Sequence, residues 1–377
     1  MNGESGKERL VSWGYGAAWT AVKLLPERTA YRVFDLIADR LWARRGGQVR
    51  QLEKNLARVL GKDTPEAQLR EMSRKGMRSA LRQYCEQFRA PTWSRERIMD
   101  SVDFPAEDIK RLQDALDSGR GVIMALGHTG NYDHAGMWLV NYMGQGFTTV
   151  AEHLKPESVA EKFLDYRRGL GMEVLPHDGG PSVFGTLARR LRAGKPVALV
   201  ADRDLSASGA QVTMFGEATR IAAGPAALAV QTGAVLLPVQ LWYPSYGRMS
   251  VRVRPEIPVP EDGKRPEKVA VMSQQLADNY AAGIAAHPAD WHMMQKFFLA
   301  DLDPAKAPKA KAAVPEPAES AESAAPAAPA APAAPAAPAA PAAPAEPTKP
   351  TEVTEPTEPT ASAESAALAE PSAQEAP

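Results

Sequence analysis

Between residues 64 and 88 apolar side chains recur at helical spacing, after Asp63 or Thr64 as a cap and Pro65 as first helical residue, and Pro91 stops the run. A shorter helix is predicted from Pro105 to Gly119. The pattern then changes. Gly121–Leu126 is a continuous apolar run that reads as a buried strand, as do Phe147–Ala151, Pro196–Ala201 and Ala234–Trp242. Helical stretches at about 157–170, 181–193 and 224–232 separate these strands. Strands alternating with helices predict an α/β fold with a central, mostly parallel sheet flanked by helices, preceded by a helical N-terminal region. Met249, Val251 and Val253 alternate with Ser250, Arg252 and Arg254, which suits an edge strand or one wet face. A helix over Pro266–Ala286 closes the folded part, and His287-Pro288-Ala289-Asp290-Trp291-His292 follows it.

Composition divides the 377-residue chain. From residue 301 on there are 17 of its 33 prolines, no glycine and no aromatic, so no core can form there. Pro326, Pro329, Pro332, Pro335, Pro338, Pro341 and Pro344 recur every third residue, the period of polyproline II, and a disordered spacer is expected over 303–377. Residues 301–377 take four of the 44 basic and 12 of the 45 acidic residues, leaving an excess of seven positive charges in the preceding 300. Such a body favours anionic lipid surfaces or phosphorylated substrates, and nothing in it calls for nucleic acid. The lone Cys85 excludes an intrachain disulfide and a multi-cysteine metal site; with Leu81, Tyr84 and Phe88 expected on the same helix face, it reads as a buried small residue.

The uncharged run Leu10–Val22 is too short to span a bilayer. Trp13, Tyr15, Trp19 and Trp42 are interspersed with Lys23, Arg28, Arg32, Arg40, Arg44 and Arg45, a mixture suited to the headgroup region. Residues 1–60 are therefore expected to form membrane-interface helices belonging to the catalytic domain, with the α/β part over 61–302.

The chemistry follows the strand at 121–126, in Gly127-His128-Thr129-Gly130-Asn131-Tyr132-Asp133-His134. With six histidines and 45 acidic residues, one His-x4-Asp spacing arises by chance, so position carries the weight. The pair lies where a parallel strand yields to a helix, the sheet edge at which ligands bind. With His128 in the turn and Asp133 in the first helical turn, the carboxylate is expected to hold the imidazole and leave its other nitrogen to accept a proton. Backbone N–H groups near Gly130 and Asn131 are candidates for an oxyanion. The chain has no G-x-S-x-G elbow and no plausible catalytic cysteine, so a covalent intermediate lacks an obvious nucleophile. His134 reads as structural, and no metal site is expected.

The run His128–Asp133 resembles the His-x4-Asp motif of glycerolipid acyltransferases, most closely the branch of lipid A lauroyl acyltransferases and actinobacterial phosphatidylinositol mannoside acyltransferases. Further similar blocks are Ala151–Glu157 with Tyr166-Arg167-Arg168, Gly194–Leu205, Gly224–Ala234 and His287–Met293. The resemblance covers most of 10–302. It implies transfer of a fatty acyl group, usually palmitoyl, from acyl-CoA as co-substrate, without a cofactor, to the 6-hydroxyl of a mannose on phosphatidylinositol mannoside. The place would be the cytoplasmic face of the cell membrane, with the protein attached peripherally to its anionic surface. The resemblance makes His128 and Asp133 catalytic, adds Asp202 where the family commonly has glutamate, and assigns Glu152, Arg167 and Arg203 to substrate. The alternatives are a related acyltransferase acting on another glycolipid or lysophospholipid, and a non-catalytic membrane-surface protein.

Overall fold

The computed structural model describes residues 21–151, 157–177, 180–204 and 209–302; Trp13, Tyr15, Trp19, Glu152 and the proline-rich tail lie outside them. The strands are β1 (Val102–Asp103), β2 (Val122–Leu126), β3 (Thr148–Ala151), β4 (Glu173–Pro176), β5 (Pro196–Val200), β6 (Ala210–Met214), β7 (Glu217–Ile221), β8 (Val235–Ser245) and β9 (Arg248–Val253). Seven of them form a central sheet in the order β1-β9-β8-β2-β5-β3-β4. Neighbours from β8 to β4 run parallel, whereas β8 and β9 form an antiparallel pair and β1 runs parallel to β9. The expected α/β architecture is thus present. The two short strands β1 and β4 escape a reading based on long apolar runs, as does the hairpin of β6 and β7 outside the main sheet.

The apolar run of β2 has no polar alternation because both faces of the sheet are covered. Ile123 and Ala125 point into one layer with Val197, Leu199 and Leu236; Val122, Met124 and Leu126 point into the other with Leu237 and Val239.

The N-terminal helices α1 (Glu27–Ala43) and α2 (Gly47–Leu60) pack against α3 (Glu66–Arg89). Thr64 does not cap α3, as its hydroxyl bonds back to the Leu60 carbonyl at 3.0 Å. Cys85 is buried, and burial pushes its thiol up to about 12. Tyr84, one residue and about 100° around the helix from it, is 51% exposed and does not share that face. Alongside Cys85, α3 buries an unusual polar set, Arg82, Gln83, Glu86 and Gln87, which faces the turn after β2. Beyond it lie α4 (Arg95–Asp100), α5 (Ala106–Asp117) and α6 (Tyr132–Met143); α7 (Glu157–Gly169), α8 (Gly180–Arg192), α9 (Gly224–Thr232) and α10 (Arg265–Ala286) complete the covering.

Candidate active site

The register of two neighbouring strands builds the site. β2 and β5 pair in parallel with Leu126 opposite Val200, so two residues further on His128 faces Asp202. His128 Nδ1–H donates to Asp202 Oδ1 at 2.5 Å, and the backbone N–H of His128 donates to Oδ2 at 2.9 Å. The Trp291 indole adds a third donor to Oδ2 at 3.2 Å. Asp202 is wholly buried. Burial by itself would raise its pKa, but the nearby His128 and these donors outweigh burial and hold the carboxyl below its ordinary value. Gly127 makes the close approach possible, since a Cβ there would sit 3.1 Å from Asp202 Oδ2.

The expected pairing of His128 with Asp133 is therefore corrected. Asp133 accepts a forked pair of bonds from Arg167, Nε at 2.7 Å and Nη2 at 2.9 Å, and a third from the Gln87 amide. The reason is geometric: Asp133 has entered α6 and projects sideways toward α7, whereas Asp202 emerges from the adjacent strand at the level of the imidazole. Arg167 is largely buried, which opposes its charge, yet the Asp133 carboxylate more than compensates and raises its pKa. Arg203 follows Asp202 and is half-buried. Glu152 lies outside the described residues.

The expectation for Gly130 also changes. Its N–H donates to the Asp290 carbonyl at 3.0 Å and so is not offered to an oxyanion. The segment after α10 closes on the catalytic turn like a strap: His292 N donates to His128 O at 2.9 Å, and Thr129 and Trp291 form an antiparallel bridge. Asp290 is tied in by Ser79 Oγ and by the Tyr243 N–H at 2.9 Å. Gly130 adopts φ 55°, and a Cβ there would meet the Leu241 backbone at 3.1 Å. Asn131 then caps α6, its Oδ1 accepting from His134 N at 3.0 Å. His134 is structural as expected: buried, bonded to Ser101 and edge-on to Trp93.

Beside this turn an apolar cavity runs beneath α6 across one face of the sheet. Met124, Leu126, Ala198, Val200 and Val239 form its floor, and Tyr132, Asp133 and Arg167 are among its few polar lining groups. Among the described residues no helix is long and apolar enough to cross a membrane.

Sequence reasoning missed Glu86 and Asp290. The only local signal for Glu86 was Arg82, four residues earlier on the same helix and also buried.

A histidine held by a buried carboxylate at the C-terminal edge of a parallel sheet, next to an apolar slot, suits an enzyme that moves acyl groups onto hydroxyls. The sequence model of the bacterial lipid A biosynthesis acyltransferases matches residues 6–300, and the chain belongs to that family and is an acyltransferase. It is 46% identical over 293 residues to a phosphatidylinositol mannoside acyltransferase of Mycolicibacterium smegmatis, covering 77% of this chain and 91% of the relative. A phosphatidylinositol mannoside acyltransferase of Mycobacterium tuberculosis is 45% identical over 295 residues, covering 78% of this chain and 90% of that protein.

Proposed function

We propose that the enzyme transfers a long fatty acyl chain, palmitoyl first among them, from acyl-CoA to the 6-hydroxyl of a mannose on phosphatidylinositol mannoside. The observation that carries this reading is the His128–Asp202 pair beside the apolar cavity. The names of the relatives support the acceptor.

In this mechanism Asp202 fixes the tautomer with the proton on Nδ1, and Nε2 takes the proton of the acceptor hydroxyl. The hydroxyl oxygen attacks the thioester carbonyl, and the tetrahedral intermediate collapses with cleavage of the C–S bond. The imidazolium returns its proton to the departing thiolate, leaving an ester and free CoA. Asp202 stabilises the imidazolium between the two transfers. The acyl chain occupies the cavity under α6, with Asp133 clamping Arg167 at its polar rim. Arg203 and Glu152 stay assigned to substrate. No cofactor enters the cycle.

Membrane attachment is proposed through α1. Its inner face buries Ala30, Tyr31, Phe34 and Ala38, while Val33, Leu36, Ile37 and Leu41 on the outer face are exposed among Arg32, Arg40 and Arg44. An apolar strip bordered by arginines suits an anionic bilayer surface. Trp42 does not join that strip, because its indole donates to Ser73 Oγ at 2.9 Å under the Arg70 guanidinium. The protein would act peripherally at the cytoplasmic face, where acyl-CoA is available.

Purified protein supplied with radiolabelled palmitoyl-CoA and a panel of acceptors tests the assignment. Labelled phosphatidylinositol mannoside, absent with His128→Ala, is the expected result. Preferential labelling of a lysophospholipid or of a different glycolipid would overturn the acceptor, and an active His128→Ala protein would overturn the base.

A further inference from the structure

We infer that Glu86, a buried carboxylate on α3 outside the chemical pair, is a positioning residue for the catalytic turn and acts through Asn131. Glu86 is 1% exposed. Its Oε1 accepts from Tyr31 Oη at 3.0 Å and from Arg82 Nε at 2.7 Å, and its Oε2 accepts from Asn131 Nδ2 at 2.9 Å. Asn131 is itself 1% exposed, and its Oδ1 is committed to the N–H of His134. The Asn131 amide therefore cannot rotate without breaking either the cap of α6 or the bond to Glu86.

This orientation matters because Asn131 sits between the two ends of the motif. Three residues before it is His128, whose imidazole must stay in line with Asp202; two residues after it is Asp133, which carries Arg167. Gly130 supplies the left-handed bend, a conformation that glycine adopts without steric cost and that cannot by itself fix the turn. The Glu86–Asn131 bond supplies a fixed point on α3. Through Tyr31 the same carboxylate also reaches the inner face of α1, whose outer face is the proposed bilayer contact.

The network allows its polarity to be exchanged. In Glu86→Gln the new amide N–H₂ confronts the Asn131 N–H₂, and in Asn131→Asp two carboxylates confront one another. In the double variant the amide oxygen introduced on α3 still accepts from Tyr31 and Arg82, and its N–H₂ donates to the carboxylate introduced in the turn. The other oxygen of that carboxylate caps α6 as before. The total buried charge is unchanged. A milder variant, Asn131→Ser, retains a capping hydroxyl but lacks the reach to Glu86.

The inference rests on the catalytic role proposed for His128, so His128→Ala is assayed alongside. All variants are measured well below the lowest Tm, with kcat and the KM for acyl-CoA determined separately. Each single variant, Asn131→Ser included, is expected to lose about 10²-fold in kcat with the donor KM little changed, as for displaced reacting groups. The double exchange is expected to recover kcat to within about tenfold of wild type. Wild-type kcat in Asn131→Ser, or a double variant no better than the worse single, would overturn the positioning role. Activity surviving in His128→Ala would instead overturn the underlying mechanism.

Discussion

Replacing Asp202 by asparagine keeps the shape of the pocket but turns an amide toward Nδ1, favouring the tautomer that blocks proton acceptance. A loss of about 10²–10⁴ in kcat is expected with a near-normal Tm. Asp133→Asn has a different signature: it strips the counter-charge from the largely buried Arg167, so a lowered Tm is expected with a smaller fall in kcat. Steady-state kinetics and thermal melts of the two variants separate the roles, and equal kcat losses with intact melting would contradict the pairing described here. His134 and His292 give a second test. Burial keeps both neutral, lowering the first to about 4 and the second to about 3, the latter helped by neighbouring His128. The unfolded chain takes up these protons near pH 6.5 while the folded one does not, so stability falls as pH drops from about 6.5 toward 4. Melting curves over that range should be shallower in their pH dependence for His134→Asn than for wild type.

At the scale of elements, α1 carries two faces with separable jobs. Leu36 is 68% exposed and Ile37 42% exposed, so Leu36→Ser with Ile37→Ser should leave Tm nearly unchanged. Co-sedimentation with anionic vesicles should fall for this variant even at low salt, while added salt should weaken wild-type binding by screening the arginines. A bound fraction indifferent to both changes would mean that α1 is not the contact. The long strands were readable in the sequence, because each depends on residues close together along the chain, whereas the exposed strip of α1 went unread behind the mixture of aromatic and basic residues. The place of His128, in the turn after the first long apolar run, was equally readable. Its pairing was not, although the resemblance had marked Asp202. Asp202 lies 74 positions away, and β5 becomes the neighbour of β2 only because β3 and β4 are laid down outside it; a local pattern therefore favoured Asp133, which is near in sequence but directed to another helix. Glu86 was hidden for a related reason, since a carboxylate on a helix ordinarily faces water and only its tertiary donors reveal a buried one.

For the molecule as a whole, the sheet separates two apolar layers that are filled differently. One is packed by α8, α9 and α10 against Ile123, Ala125, Val197 and Leu199. The other retains an apolar cavity under α6, on the side of the sheet where the motif helix lies. Under the proposed function the depth of that space sets the chain length that can be fully buried. Ala198, on β5 in the cavity floor, is the place to shorten it. A phenyl ring at Ala198→Phe would occupy volume now open, with packing strain limited by the existing void. If the last four or so methylenes of a hexadecanoyl chain lose their burial, the cost is about 3 kcal/mol, or roughly 100-fold in kcat/KM. A donor too short to reach Ala198 should keep most of its rate. Kinetics across acyl-CoA donors of graded length, with Tm measured in parallel, test the point. A uniform fall for every chain length in a protein that still melts normally would show that the acyl chain lies elsewhere and that this cavity has another use.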